Sequence, residues 1–147
     1  MRNGSALTEQ GTIMKKVITF GVFDYFHYGH LKLFERCKAM GDYLIVAIQD
    51  EDYILKYKPD AQILYTQQQR MELINALECV DEVAVYTDID KSIKEIDFDI
   101  WAKGEDQNHA GFQAAEKWAL ENGKEIRITS RTPNISTTKI RQQLIKD

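Results

Sequence analysis

Apolar and polar positions follow two rhythms along this chain, and the rhythms alternate. A β-branched and aromatic run at 17–20 is closed by Gly21 and reads as a first strand. Leu33, Cys37 and Met40 then recur at helical spacing, which predicts a helix over 29–40 that stops at Gly41. The segment YLIVAIQ (43–49) is apolar on both faces, as a strand buried in a parallel sheet is. Thr66 and Gln69 match a capping box, and Leu73, Ile74 and Leu77 share a face of the helix it opens. Two short strands are predicted at 82–86 and 98–104, a helix at 111–122 before Gly123, and a strand at 125–130. Ser136 caps a last helix that turns Ile140 and Leu144 inward. Five alternations of strand and helix predict an α/β fold. Its core is a doubly wound, Rossmann-like parallel sheet of about five strands with helices on both faces. Such sheets bind ligands beyond the carboxyl ends of their strands. Residues 14–147 read as one domain, and 1–13, without sustained period, as a flexible extension or an expression remnant. The irregular stretch 56–65 holds Pro59, one of two prolines, and is expected to be a loop with a purpose beyond turning.

Composition narrows the class of protein. Apolar residues make up 44% and charged residues 29% of 147, which is ordinary for a globular domain with a real core. Nineteen basic and 23 acidic residues leave a net charge of −4 without a basic block, so a nucleic-acid partner is not expected. The longest clean apolar run, 44–48, is too short to span a bilayer, and the N-terminus lacks the apolar centre of a signal peptide. Cys37 and Cys79 form no CxxC pair. They read as reduced small residues in helix-like stretches of a cytoplasmic protein rather than as a metal site.

The chemistry gathers at two places. The first strand runs out into GVFDYFHYGH (21–30), where Gly21 allows a sharp turn and Gly29 a close approach to a ligand. His27 and His30, three apart, share one face at a helix start, where N–H groups and the helix dipole suit a phosphate. The bland alternative is a pair of capping histidines without a ligand. It is disfavoured because the motif sits where the fold expects one. No third residue at a familiar spacing completes a zinc site. The last strand runs into RTPNISTTKIR (131–141), where Arg131 stands beside a second helix start rich in hydroxyls. Alone, that would be an ordinary cap with a surface arginine. Two anion-ready helix starts in one small domain change the balance.

GVFDYFHYGH together with RTPNISTT resembles the cytidylyltransferase branch of the HxGH nucleotidyltransferases, from about residue 14 to the C-terminus. The resemblance implies the nucleotidyltransferase α/β phosphodiesterase fold and transfer of CMP from CTP to a phosphorylated small alcohol. It implies His27, His30, Lys58 and Arg131 as catalytic residues. Gly21, Val22, Phe23, Gly29, Lys56, Thr132, Ile135, Ser136 and Thr137 carry over as nucleotide contacts. It also implies a homodimer and a divalent cation, Mg²⁺, carried mainly by the triphosphate rather than by a protein cage. The chain departs from the family pattern at Val22 and Asn134, and GEDQNHAGF (104–112) matches no subfamily closely. The acceptor therefore stays open between glycerol 3-phosphate, the first choice, and phosphoethanolamine or phosphocholine.

The residues agree with such a reaction. A phosphate monoester has a second pKa near ~6 and is already an oxyanion at neutral pH, so its attack needs no protein base. No Ser–His–Asp set or paired-carboxylate site is legible in the chain. Asp24 is expected either to touch the ion or its waters or to cap the turn. Asp24 itself, Arg70, Glu105 and Asp106 are candidate contacts to the acceptor or the ribose, with a solvated acidic turn as the alternative for the last two. Trp101 and Trp118 read as core, and His109 as a surface residue. Competing readings are an adenylyltransferase of the same fold and a non-catalytic nucleotide-sensing module, which loss of a histidine or of the lysine loop would have favoured.

Overall fold

A computed structural model describes residues 7–8, 11–130 and 137–145. Its five strands are β1 (Lys16–Gly21), β2 (Tyr43–Gln49), β3 (Glu82–Tyr86), β4 (Ile100–Gly104) and β5 (Glu125–Thr129). They form one parallel sheet in the order β3-β2-β1-β4-β5. Six helices accompany them: α1 (Tyr28–Lys38), α2 (Glu51–Tyr57), α3 (Gln67–Asn75), α4 (Ile89–Ser92), α5 (Ala110–Glu121) and α6 (Thr137–Ile145). The doubly wound α/β architecture expected from the sequence is the one observed.

Alternation along the central strands divides the core in two. Ile18, Phe20, Ile45, Ala47 and Trp101 point to the face covered by α4 and α5, where Phe98, Phe112, Ala115 and Ala119 meet them. Val17, Leu44, Val46, Ile48, Ile100 and Ala102 point to the other face, against Phe34, Cys37 and Ile74 from α1 and α3. A strand buried on both faces is apolar at every position, and β2 shows this from Leu44 to Ile48. Trp101 is fully buried and Trp118 packs against the same cluster, as expected of core residues.

Several boundaries and roles differ from the sequence expectation. Lys56 belongs to α2, so the irregular stretch begins only after Tyr57. Asp50 caps that helix by accepting from the Tyr53 N–H at 2.9 Å, but only Ile54 is buried, too little to leave a periodic signal. The four-residue α4 is silent for the same reason. Leu73 is 38% exposed rather than inward, and Leu77 and Cys79 lie beyond the end of α3. The capping box of Thr66 and Gln69 is present, with reciprocal bonds of 3.1 and 3.0 Å. Gly123, at φ +73°, ends α5 in the left-handed conformation that favours glycine. In the N-terminal segment, Leu7 and Ile13 form an isolated antiparallel bridge, and both side chains are exposed.

The topology fixes where a site can form. From β1 the chain crosses to β2 on one side, and β4 returns on the other. β1 keeps register with β2 over six residue pairs but with β4 over only two, Val17–Ile100 and Ile18–Trp101. Beyond Ile18 the two strands part, and a crevice opens at the switch point.

Candidate active site at the carboxyl ends of the strands

A cavity of about 620 Å³ fills that crevice. Its walls come from the end of β1 and the turn after it (Gly21, Val22, Phe23), from the start of α1, from Lys58, and from the segment after β4. Thr129 at the end of β5, Ser130 after it and Thr138 of α6 close it. His27, Gly29, His30, Lys58, Glu105 and Asp106, all singled out in the sequence, are brought together here.

The turn between β1 and α1 is strained. Phe23 and Tyr25 both have positive φ, +53° and +52°. Such conformations cost a non-glycine residue roughly 1–2 kcal/mol and gather at functional sites. The turn places the Phe23 ring over Gly21, where a Cβ would come within 2.7 Å of the ring. Gly21 is thus required for this ring contact rather than for a sharp turn of its own. Phe23 then meets His30 edge-on at 5.5 Å and Phe34 at 5.0 Å.

The two imidazoles are organised by the helix they start. His27 is the N-cap of α1, and its Nδ1 accepts the Gly29 N–H at 3.0 Å. The His27 N–H is in turn donated to Nδ1 of His30 at 3.3 Å. The rings stack at 3.8 Å with 20° between their planes. A ring that accepts at Nδ1 carries its proton on Nε2, so each histidine retains one N–H donor. Burial pushes the pKa of His27 down. Burial, and then the neighbouring His27, push that of His30 down to about 3. Both are neutral donors at neutral pH. The Gly29 amide, expected to be open to a phosphate, is occupied by His27. The imidazole Nε2–H groups are the donors that remain free of these capping bonds.

Positive charge comes from elsewhere. Lys58, the C-cap of α2, lines the cavity, and so does Arg36, whose Nη2 donates to the Ser130 carbonyl at 3.0 Å. The sequence showed Leu33 only as an apolar helix position and gave no sign of Arg36, although both continue the i, i+3 face that starts at His30. Nor did it mark Gln107, which spans the crevice. Its Nε2 donates to the Phe20 carbonyl at 2.9 Å, and its Oε1 accepts the Gly104 N–H at 3.1 Å. Parted strands leave such groups unpaired, and a side chain answers them here.

Three expected contacts lie outside the cavity. Asp24 is 5% exposed and accepts the backbone N–H groups of Leu64 and Tyr65 at 2.6 and 3.0 Å, so it anchors a loop rather than touching an ion. Arg70 is 1% exposed and donates to the carbonyls of Val22 and Gln49 at 2.9 and 3.2 Å, which makes it a brace beneath the site. Lys56 points off α2 with its ammonium 5.5 Å from the Tyr57 ring. Arg131, Thr132, Ile135 and Ser136 lie outside the described residues, and Thr137 is described only as the first residue of α6. His109 is exposed, as expected, and also caps α5, its Nδ1 accepting the Gly111 N–H at 3.1 Å.

Among the described residues no three His, Cys, Asp or Glu side chains cluster as a metal cage. An ion held mainly by a ligand's own phosphates needs few protein donors, and the oxygens of Glu105 and Asp106 on the cavity wall suit its water shell.

The fold and site are those of a nucleotidyl-transfer domain, and the comparisons with known proteins narrow the class. Residues 18–143 match the model of the family described as cytidylyltransferase-like, and the chain belongs to that family. It is 35% identical over 135 residues to a glycerol-3-phosphate cytidylyltransferase of Bacillus subtilis, covering 89% of this chain and 98% of that one. It is 39% identical over 110 residues to an FAD synthase of Ferroglobus placidus, covering 74% of this chain and 67% of the other. The crystal structure of a lipopolysaccharide core biosynthesis protein from Thermoplasma volcanium superposes with a TM-score of 0.64 at 26% identity, over 81% of this chain and 97% of that one.

Proposed function

We propose that this chain transfers CMP from CTP to a phosphorylated small alcohol, with glycerol 3-phosphate the first choice of acceptor. An oxygen of the acceptor phosphate forms a bond to the α-phosphorus of CTP. The bond from that phosphorus to the bridging oxygen breaks, and its electron pair leaves with pyrophosphate. The observation that carries this reading is the pair of neutral histidines, each accepting a backbone N–H at Nδ1, on the wall of a cavity that also holds Lys58. A reaction between two polyanions needs alignment and charge compensation rather than a base. Neutral imidazoles supply oriented N–H donors, Lys58 and Arg36 supply charge, and Mg²⁺ enters with the triphosphate. The Bacillus relative supports glycerol 3-phosphate by its name.

A second reading, adenylyl transfer, is favoured by the FAD synthase relative, whose product contains an adenylyl group. Supplying the protein with each of the four nucleoside triphosphates and a panel of phospho-alcohols, and measuring pyrophosphate, separates them. Release with CTP and glycerol 3-phosphate is expected. Release only with ATP moves the chain to the second reading, and none with any pair leaves a sensing module. We also place the protein in the cytoplasm as a homodimer. That fits the family resemblance and the described helices, none of which is long and apolar enough to cross a membrane. Light scattering that returns a monomer mass sinks the dimer.

A further inference from the structure

Lys103 is a buried cation with no place in the site described above. It lies on β4, 5% exposed, two residues after Trp101 and so on the same face of the sheet, under α5. Its Nζ donates to Oδ1 of Asn108 at 3.2 Å and pairs with Oε2 of Glu116 of α5 at 3.2 Å. Asn108 passes the contact on, since its Nδ2 donates to the Glu105 carbonyl at 2.8 Å. Gln113 of α5 in turn donates from Nε2 to the Asn108 carbonyl at 3.0 Å. The loop between β4 and α5 is thus closed on itself at Asn108 and pinned there by one ammonium. From the same loop, Glu105, Asp106 and Gln107 line the cavity that holds the histidines, whereas Lys103 does not.

We propose that Lys103 is a positioning residue, which acts through Asn108 to hold the loop so that Glu105, Asp106 and Gln107 stand against the bound substrates. The proposal rests on the nucleotidyl-transfer reading above. Stability of the fold does not call for an ammonium here. On the same face Trp101, Phe112 and Ala115 present apolar surface, and replacing a buried ion pair by an apolar side chain of similar volume is often neutral or stabilising. Neither partner would be stranded without the lysine, because Asn108 is exposed and Glu116 half-buried. What the ammonium adds is a fixed direction. It is a compact charge on a stem rooted in a strand, and it selects one pose of an amide that could otherwise turn to solvent. The loop needs such a tie for an electrostatic reason. Glu105 and Asp106 are adjacent carboxylates on the wall of a cavity read as taking two polyanions, so repulsion drives them outward. A cation fixed behind them opposes that.

The test compares the parent with Lys103→Met, Asn108→Ala and the double variant. Lys103→Met keeps a long unbranched side chain and removes the charge. Its melting temperature should match or exceed that of the parent. KM for at least one of CTP and sn-glycerol 3-phosphate should nevertheless rise about tenfold, with kcat within about threefold, because the loop meets substrate while the histidines of α1 are untouched. Asn108→Ala should reproduce the KM change, and the double variant should add little to either, as members of one chain of contacts do. Parental KM values for both substrates in Lys103→Met, a melting temperature that falls together with activity, or additive effects in the double variant overturn the assignment. Hydrogen exchange gives a readout without turnover. Amides of the loop 105–109 should exchange faster in Lys103→Met, while β4 and α5 stay as protected as in the parent. If the parent releases no pyrophosphate with any pair, the transfer reading fails. The tie is then upheld by faster exchange confined to that loop, and refuted by exchange that is unchanged or raised throughout.

Discussion

At His27 one ring caps a helix through Nδ1 and keeps its Nε2–H for the cavity, so substitution can separate the two roles. Asparagine is among the strongest N-cap residues, and alanine is a poor one. His27→Asn should hold the melting temperature near that of the parent and still lose kcat, whereas His27→Ala loses both. The kcat loss expected from removing one transition-state donor is roughly 10²–10³-fold. Equal kcat in parent and His27→Asn would falsify the donor role. His30 makes a prediction about acid. Its pKa is about 3 in the folded chain, because burial and His27 disfavour the charge, against roughly 6.5 when unfolded. Between those values the unfolded chain binds a proton that the folded chain does not, so stability falls as pH drops from about 6.5 towards 3 and is indifferent to this group above that window. Urea midpoints at pH 7, 6, 5 and 4 should show the fall, and His30→Gln should flatten it. Because both rings are already neutral near pH 7, the acid limb of kcat/KM should follow the acceptor's phosphate. A phosphonate isostere with a higher second pKa should carry the limb upward with it.

Elements meet at this site through side chains that span long stretches of sequence. Asp24 ties the turn after β1 to the loop at Leu64 and Tyr65, 40 and 41 positions away. Arg70 ties the same turn to the end of β2. The sequence displayed these residues as charges in motif-like surroundings, which is why they read as ligand contacts. Their burial, and the backbone groups they serve, arise only once β1, β2 and α3 are assembled. His27, His30 and Thr66 were legible because a cap is a local device, closed within four residues. Asp24→Ala would leave two amides without their carboxylate, a loss of about 1–3 kcal/mol for each one that stays buried. The loop carrying Lys58 should loosen with it. The expected outcome is a lower melting temperature together with a higher KM for both substrates, and Asp24→Asn, which keeps one acceptor oxygen, should recover part of each. A variant with a lowered melting temperature but parental KM values would show that the tie serves stability alone.

Across the whole molecule, the alternation of strand and helix was enough to predict the sheet and the end of it where the cavity opens. Strand order was not, because order is set by which strand pairs with β1 and not by any local pattern. The parting of β1 from β4 and the bridge made by Gln107 follow from that order, so both stayed out of reach of the sequence. The charge balance has a similar limit. A net charge of −4 says that the surface as a whole repels a triphosphate and a phosphomonoester, so attraction must be local. Lys58 lines the cavity, whereas Lys56 does not. Lys58→Ala should therefore raise KM for CTP and for the acceptor together, and Lys56→Ala should change both little. Local attraction between exposed charges fades once the Debye length shrinks from about 10 Å at 0.1 M salt to about 3 Å at 1 M. In the parent, KM for CTP should climb with sodium chloride over that range, and in Lys58→Ala the climb should be shallower because the screened partner is already gone. Parallel salt profiles in the two proteins would mean that Lys58 does not meet the phosphates and that the cation at this site is Arg36.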